Sequence, residues 1–251
     1  MIKNIFFYWN NKNFKFVKKY ENKSGAATYN FINIYFLINK KNFKICFNQN
    51  CYRQFDSYVI KKNKLSIHKQ LQIICKPIPI NFLTIYKESL FFLKKIYFKK
   101  DNWKSPLLGA KGIGYEVLKN NIEISQITIF VFFSCKKLYK PILEITYGIN
   151  RIKKIKNKNY IKEKFSSIDN IFNKFSIKKI LFLYNQCLIY LNKNNYYISY
   201  LFFVKITNNF NIIDEFYVTN NYNRIKIIHL ITKISYNIIK KINEQKFKKK
   251  N

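Results

Sequence analysis

The sequence predicts an α+β protein of two small modules, each an antiparallel sheet packed against a helix, with a long insertion in the second module and basic extensions at the termini. Three observations predict it. Between Phe31 and His68, short β-branched and aromatic runs (INIYFLI, FKICF, YRQF, YVI, LSI) alternate with Asn- and Lys-rich pairs, as antiparallel strands and turns do. Tyr86, Leu90, Leu93 and Tyr97 then recur at helical spacing. Near the C-terminus, Ile227, Ile231, Ile234, Ile238 and Ile242 form the apolar stripe of a second helix.

Taken in order, residues 1–30 alternate aromatics with Lys and Asn without a period and read as a basic extension lying on a partner. Residues 31–104 form the first module, with strands to His68, a loop at Pro77 and Pro79, and a helix over about 82–100. The second module, residues 105–242, opens with SPLLGAKGIGYEVLKNNIEISQITIF. Gly109, Gly112 and Gly114 are three of the five glycines of the chain, so backbone geometry or close approach is expected there. Lys119, Asn120 and Asn121 make a hairpin turn between GYEVL and IEISQITIF. Residues 130–205 read as an insertion containing a lysine-rich stretch and two apolar runs. EFYVT, residues 215–219, reads as a strand, and Asn220 caps a helix over about 222–242. Residues 243–251 read as a basic tail, unfolded without its partner.

Charge narrows the function. Of 47 Lys and Arg only Arg53, Arg151 and Arg224 are arginine, against 12 acids, for a formal net charge of +35. Such like charge repels itself unless a polyanion absorbs it, and nucleic acid is the usual polyanion. Lysine is distributed from Lys3 to Lys250, which favours a chain embedded in RNA over one with a single reading face. Lys, Asn, Ile, Phe and Tyr have AT-rich codons and abound, as in an organelle genome, which also inflates lysine. No secretory or transit peptide and no membrane span is evident. The five scattered cysteines fit a reducing compartment.

Catalytic chemistry is not apparent. His68 and His229 are the only histidines, and Cys46, Cys51, His68 and Cys75 lack the C-x2-C spacing of a zinc site. Asp56, Asp101, Asp169 and Asp214 are isolated, with no carboxylate pair for acid–base or two-metal work. The expectation is a non-enzyme without cofactor or metal.

The stretch from Ile38 to Ile67 resembles the first module of the large-subunit ribosomal protein L-six family. Gly112, Ile113, Gly114 and Tyr115 hold the place of that family's glycine–valine–glycine–tyrosine strand, and EFYVTNNYNRIKIIHLITKISYNIIKK that of its closing strand and helix. LLGAKGI and TYG also resemble the third small-subunit ribosomal protein; the former match is preferred because the upstream hairpins and helix fit it. The resemblance implies a structural constituent of a mitochondrial, or alternatively plastid-type, ribosome, with ribosomal RNA and neighbouring ribosomal proteins as partners. An accessory subunit of an organellar membrane complex, and an intron maturase or nuclease, are the readings from other classes.

On this reading RNA meets Lys111 and Lys119 of the glycine-rich strand and Arg151, Lys153, Lys154 and Lys156 of the insertion. It also meets Arg224, Lys226, Lys233 and Lys240 of the closing helix, and Lys246, Lys248, Lys249 and Lys250 of the tail. Gly112, Gly114 and Tyr115 are structural.

Overall fold

The computed structural model describes residues 2–17, 23–38, 42–53, 67–156, 177–215 and 221–248. At their centre one mixed sheet of eight strands runs in the order β1-β2-β3-β8-β7-β6-β4, with β5 paired to β6. These are β1 (Lys15–Phe16), β2 (Phe43–Tyr52), β3 (Ile67–Lys76), β4 (Tyr97–Asp101), β5 (Lys104–Ser105), β6 (Ala110–Lys119), β7 (Ile122–Phe133) and β8 (Lys136–Gly148). Among the described strands, β1 and β2 pair in parallel and the other pairs are antiparallel.

Side chains alternate between the two faces, because successive residues of a strand point oppositely. On β8, Leu143, Ile145 and Tyr147 enter the back core, which α1 (Ile2–Asn11), α3 (Phe82–Ser89) and α4 (Ile149–Lys156) cover. Ile5, Trp9, Tyr86 and Ile152 are the buried anchors of those helices. Ile142 instead enters the front core. There α2 (Phe31–Ile38), α5 (Ile177–Asn192), α6 (Tyr196–Glu215) and α7 (Asn221–Lys248) pack on the sheet through Ile34, Cys187, Phe203 and Ile234. No described helix is long and apolar enough to cross a membrane.

The observed elements differ from the expected ones in instructive places. INIYFLI lies in helix α2, not a strand, because Asn30 accepts the Ile32 N–H on Oδ1 at 2.9 Å and starts a helical turn whose Ile32 and Ile34 are buried. The helix expected over 82–100 ends at Ser89, and Tyr97 begins β4, paired to Leu118. Residues 1–30 are not merely an extension, since Ile5, Trp9, Phe14, Ala27 and Tyr29 are core residues. The expected insertion at 130–205 contains the central strand β8 and the helices α4 and α5. Strands of both expected modules share one sheet, joined where β3 pairs with β8.

The hairpin turn falls at Asn120 and Asn121, with φ of 50° and 58°, the left-handed conformation asparagine tolerates. Glu215 ends α6, and the rest of the expected strand lies outside the described residues. The closing helix extends to Lys248, so most of the expected tail is helical; Lys249 and Lys250 lie outside the described residues.

Candidate active site

At one end of the front face the helices stop short and a cavity of about 190 Å³ opens. Strand ends converge on it: Arg53 after β2, His68 and Gln70 on β3, Glu116 on β6, Glu123 and Gln126 on β7, and Thr146 on β8. Trp103, Asn150 and Arg151 complete the wall. Polar Gln70, Gln72, Gln126 and Thr146 stand where the front core further along carries Ile74, Phe130 and Ile142. Beside the wall, the Trp103 ring meets Phe130 edge-on at 5.2 Å.

Glu144, next in line to Thr146 on this face, is 4 % exposed. It accepts from Thr28 Oγ1 at 2.8 Å and from Asn33 Nδ2 at 3.4 Å. No ion pair joins it among the described residues. Burial pushes its carboxyl up to about 7, against the opposing influence of Thr28, Gln72 and Thr146. Gln72 accepts the Thr146 hydroxyl at 2.7 Å, yet its own Nε2 has no hydrogen bond of normal geometry, and neither has Asn33 Oδ1. The buried Asn33 Oδ1 and the Glu144 carboxylate beside it are both acceptors, so the pair can receive a cation that donates hydrogen bonds.

The rim is held by an ion pair and by hydrogen bonds to backbone and side chains. Arg151 Nη1 donates to Glu123 Oε2 at 2.7 Å and to the Glu123 carbonyl at 3.1 Å. Arg53 Nε donates to the Gly25 carbonyl at 2.9 Å, and Gln126 Nε2 to Asp101 Oδ2 at 2.8 Å. From behind, Tyr147 receives the Trp9 indole N–H at 3.1 Å and shares a 2.6 Å hydrogen bond with Ser89. Burial pushes the Tyr147 phenol well above its usual range, so it stays neutral and structural.

A family model described as glycyl-tRNA synthetase alpha subunit matches residues 1–179. The chain belongs to that family. Glycine–tRNA ligases of Chlamydia pneumoniae and Chlamydia muridarum are 34 % and 33 % identical to it over 180 residues, which is 69 % of this chain and 17 % of each relative. The chain thus spans about a sixth of the length of the curated relatives it matches. Among solved structures, the pyrrolysyl-tRNA synthetase PylSc of Desulfitobacterium hafniense overlaps 66 % of this chain and 69 % of its own, at a TM-score of 0.45 and 11 % identity.

Family membership corrects the expectations drawn from charge. The ribosomal L-six resemblance fails, because the glycyl-tRNA synthetase match over residues 1–179 takes in the whole expected first module and the glycine-rich strand that opens the second. With it go the ribosomal constituent, the third small-subunit and membrane-complex alternatives, and the ribosomal RNA and ribosomal protein partners. The non-enzyme reading fails too, since the relatives are ligases. Lysine count does not by itself record RNA contact, and a buried carboxylate can act without a second acid near it in the sequence.

Only one of the expected RNA-binding residues, Arg151, lines the cavity. Lys153 and Lys154 follow it on α4, as does Lys156, whose side chain is not described. Lys119 donates to the carbonyls of Lys94 and Lys95, and Lys111 lies over the Phe132 ring. On α7, Arg224 pairs with Asp214, Lys226 lies 4.0 Å from the Tyr222 centroid, Lys233 is exposed, and Lys240 is 3.9 Å from Glu244. Lys246 and Lys248 are helical with side chains not described. Gly112 and Gly114 sit in β6 against β7; a methyl at Gly112 would stand 2.6 Å from the Ile129 carbonyl, and one at Gly114 would collide with that of Ile127. Tyr115 packs edge-on against Phe98.

Sequence reasoning missed Thr28, Gln72, Trp103, Glu144 and Thr146. One signal was available: of three arginines in a lysine-dominated chain, Arg53 and Arg151 both line the cavity. Arginine's planar fork is not replaced by lysine where two hydrogen bonds must be aimed together. Another was an acid set in the apolar run Ile142-Leu143-Glu144-Ile145.

Proposed function

We propose that this chain binds glycine at Glu144, beside the Thr146 wall of the cavity, and is the amino-acid-activating part of a glycine–tRNA ligase. The observation that carries the reading is Glu144, buried, lacking a cation among the described residues, and flanked by the acceptor Asn33 Oδ1, which has no hydrogen bond. The ammonium group of glycine supplies the missing charge and donates hydrogen bonds. Once paired, the carboxylate no longer bears the full cost of burial.

Joining a carboxylate to a tRNA hydroxyl runs uphill in water, so a ligase couples it to nucleoside triphosphate cleavage. The glycine carboxylate oxygen attacks the α-phosphorus and pyrophosphate leaves. The tRNA hydroxyl then attacks the acyl carbon and the nucleoside monophosphate leaves. Arg53 and Arg151 at the rim suit phosphate oxygens, and Glu123 fixes the direction of the Arg151 fork. The family's description as an alpha subunit supports a second kind of subunit as partner in the same proposal.

Calorimetric titration with glycine tests it. The parent chain should bind glycine, L-alanine should bind far more weakly, and Glu144→Gln should abolish the heat. Glycine binding by Glu144→Gln equal to that of the parent would overturn the reading.

A further inference from the structure

The back face of the sheet is only partly covered. Val117 is fully buried beneath α3, whereas Ile113, further along the same face of β6, is 57 % exposed. Beyond it a row crosses four strands: Lys104 stands opposite Lys111, Lys111 opposite Phe132, and Phe132 opposite Lys137. All three lysines are exposed, and Lys111 Nζ lies 4.3 Å from the Phe132 centroid. Tyr139, beside this row on β8, is 84 % exposed.

Like charges held directly opposite on neighbouring strands destabilise a sheet. Here register imposes that opposition on Lys104 and Lys111, and residues 102–115 and 124–143 contain no acid to relieve it. An external polyanion relieves it. The interleaved rings add a surface on which flat bases stack. A second copy of this chain does not fit, because a two-fold contact would set each lysine row against the same row.

We propose that this bare end of the back face binds single-stranded RNA, with phosphates on Lys104, Lys111 and Lys137 and bases on Phe132 and Tyr139. The choice of RNA over another polyanion rests on the tRNA-ligase reading; the site itself rests on the sheet. Lys104 is the neighbour of Trp103, which lines the cavity and accepts the Gly112 N–H on its carbonyl at 2.9 Å. The lysine row therefore begins one residue from the cavity wall at the sheet edge.

The full chain is titrated with a short unstructured RNA oligonucleotide over a range of salt, with a melt to confirm folding. Replacing Lys104, Lys111 and Lys137 together by Gln should lower the log–log salt slope by about 2, at about 0.7 per single-strand phosphate. Tyr139→Ala should weaken binding by about fivefold or more. Removing the same charge from α7 through Lys226→Gln, Lys233→Gln and Lys240→Gln should leave binding near that of the parent. The proposal is overturned if the sheet variant binds like the parent, if the α7 variant loses as much, or if anionic phospholipid vesicles bind in preference to RNA. Glycine binding should be unchanged in the sheet variants. Normal glycine binding by Glu144→Gln, alongside RNA loss in the sheet variants, would remove the ligase reading and leave the RNA face standing.

Discussion

Thr28 donates its hydroxyl to the Glu144 carboxylate across 2.8 Å, joining residues 116 positions apart. The contact ties the turn before α2 to the middle of the central strand and fixes one carboxylate oxygen. The other receives Asn33 at a looser 3.4 Å. Both carboxylate oxygens are thus held by side chains from the segment around the start of α2.

The stability of the free chain should depend on pH through Glu144. Its folded pKa of about 7 lies above the ordinary 4.5, so folding favours the protonated form. Stability is fully present below the unfolded value and is lost as pH rises through the folded one, by on the order of 3 kcal/mol in total. Melting temperatures of the parent and Glu144→Gln measured between those two values should diverge as pH rises, the variant becoming the more stable. Parallel curves would show that Glu144 is ionised at no cost.

Glycine affinity should run the opposite way. The ammonium pairs with the ionised carboxylate, so binding should weaken about tenfold per pH unit below about 7 and level off above it. Calorimetry in buffers across this range reads the slope directly, and a flat profile would place the ammonium elsewhere.

Tyr147→Phe removes the acceptor of the Trp9 indole and the partner of Ser89 while keeping the ring. Leaving a buried indole N–H unpaired should cost about 1–3 kcal/mol. Chemical denaturation measures it, and glycine affinity should change little, because Tyr147 faces away from the cavity.

Gly114→Val should prevent stable folding. The added side chain would meet the Ile127 carbonyl within the β6–β7 ladder, and backbone on both strands must move to accept it. Losses above about 4 kcal/mol are typical of such overpacking at its worst. Soluble yield and a cooperative melt equal to the parent's would contradict the collision.

Local chemistry was legible wherever it acts through neighbours in the chain. The Asn120–Asn121 turn, the strands around FKICF and the isoleucine stripe of the closing helix all follow from turn propensity and periodicity. INIYFLI was not legible, because a uniformly apolar run has no period to read, and only Asn30 together with burial on the front core makes it helical.

The sequence by itself determined the alternation that makes β8 two-faced, the glycines that let β6 approach β7, and the arginines retained among so many lysines. Only the tertiary structure decided that β3 lies beside β8, and with it that Thr28, Asn33, Gln72 and Thr146 surround Glu144. The physical reason is that a carboxylate's charge and partners depend on the dielectric and the neighbours assembled around it, and residues from three distant segments assemble both.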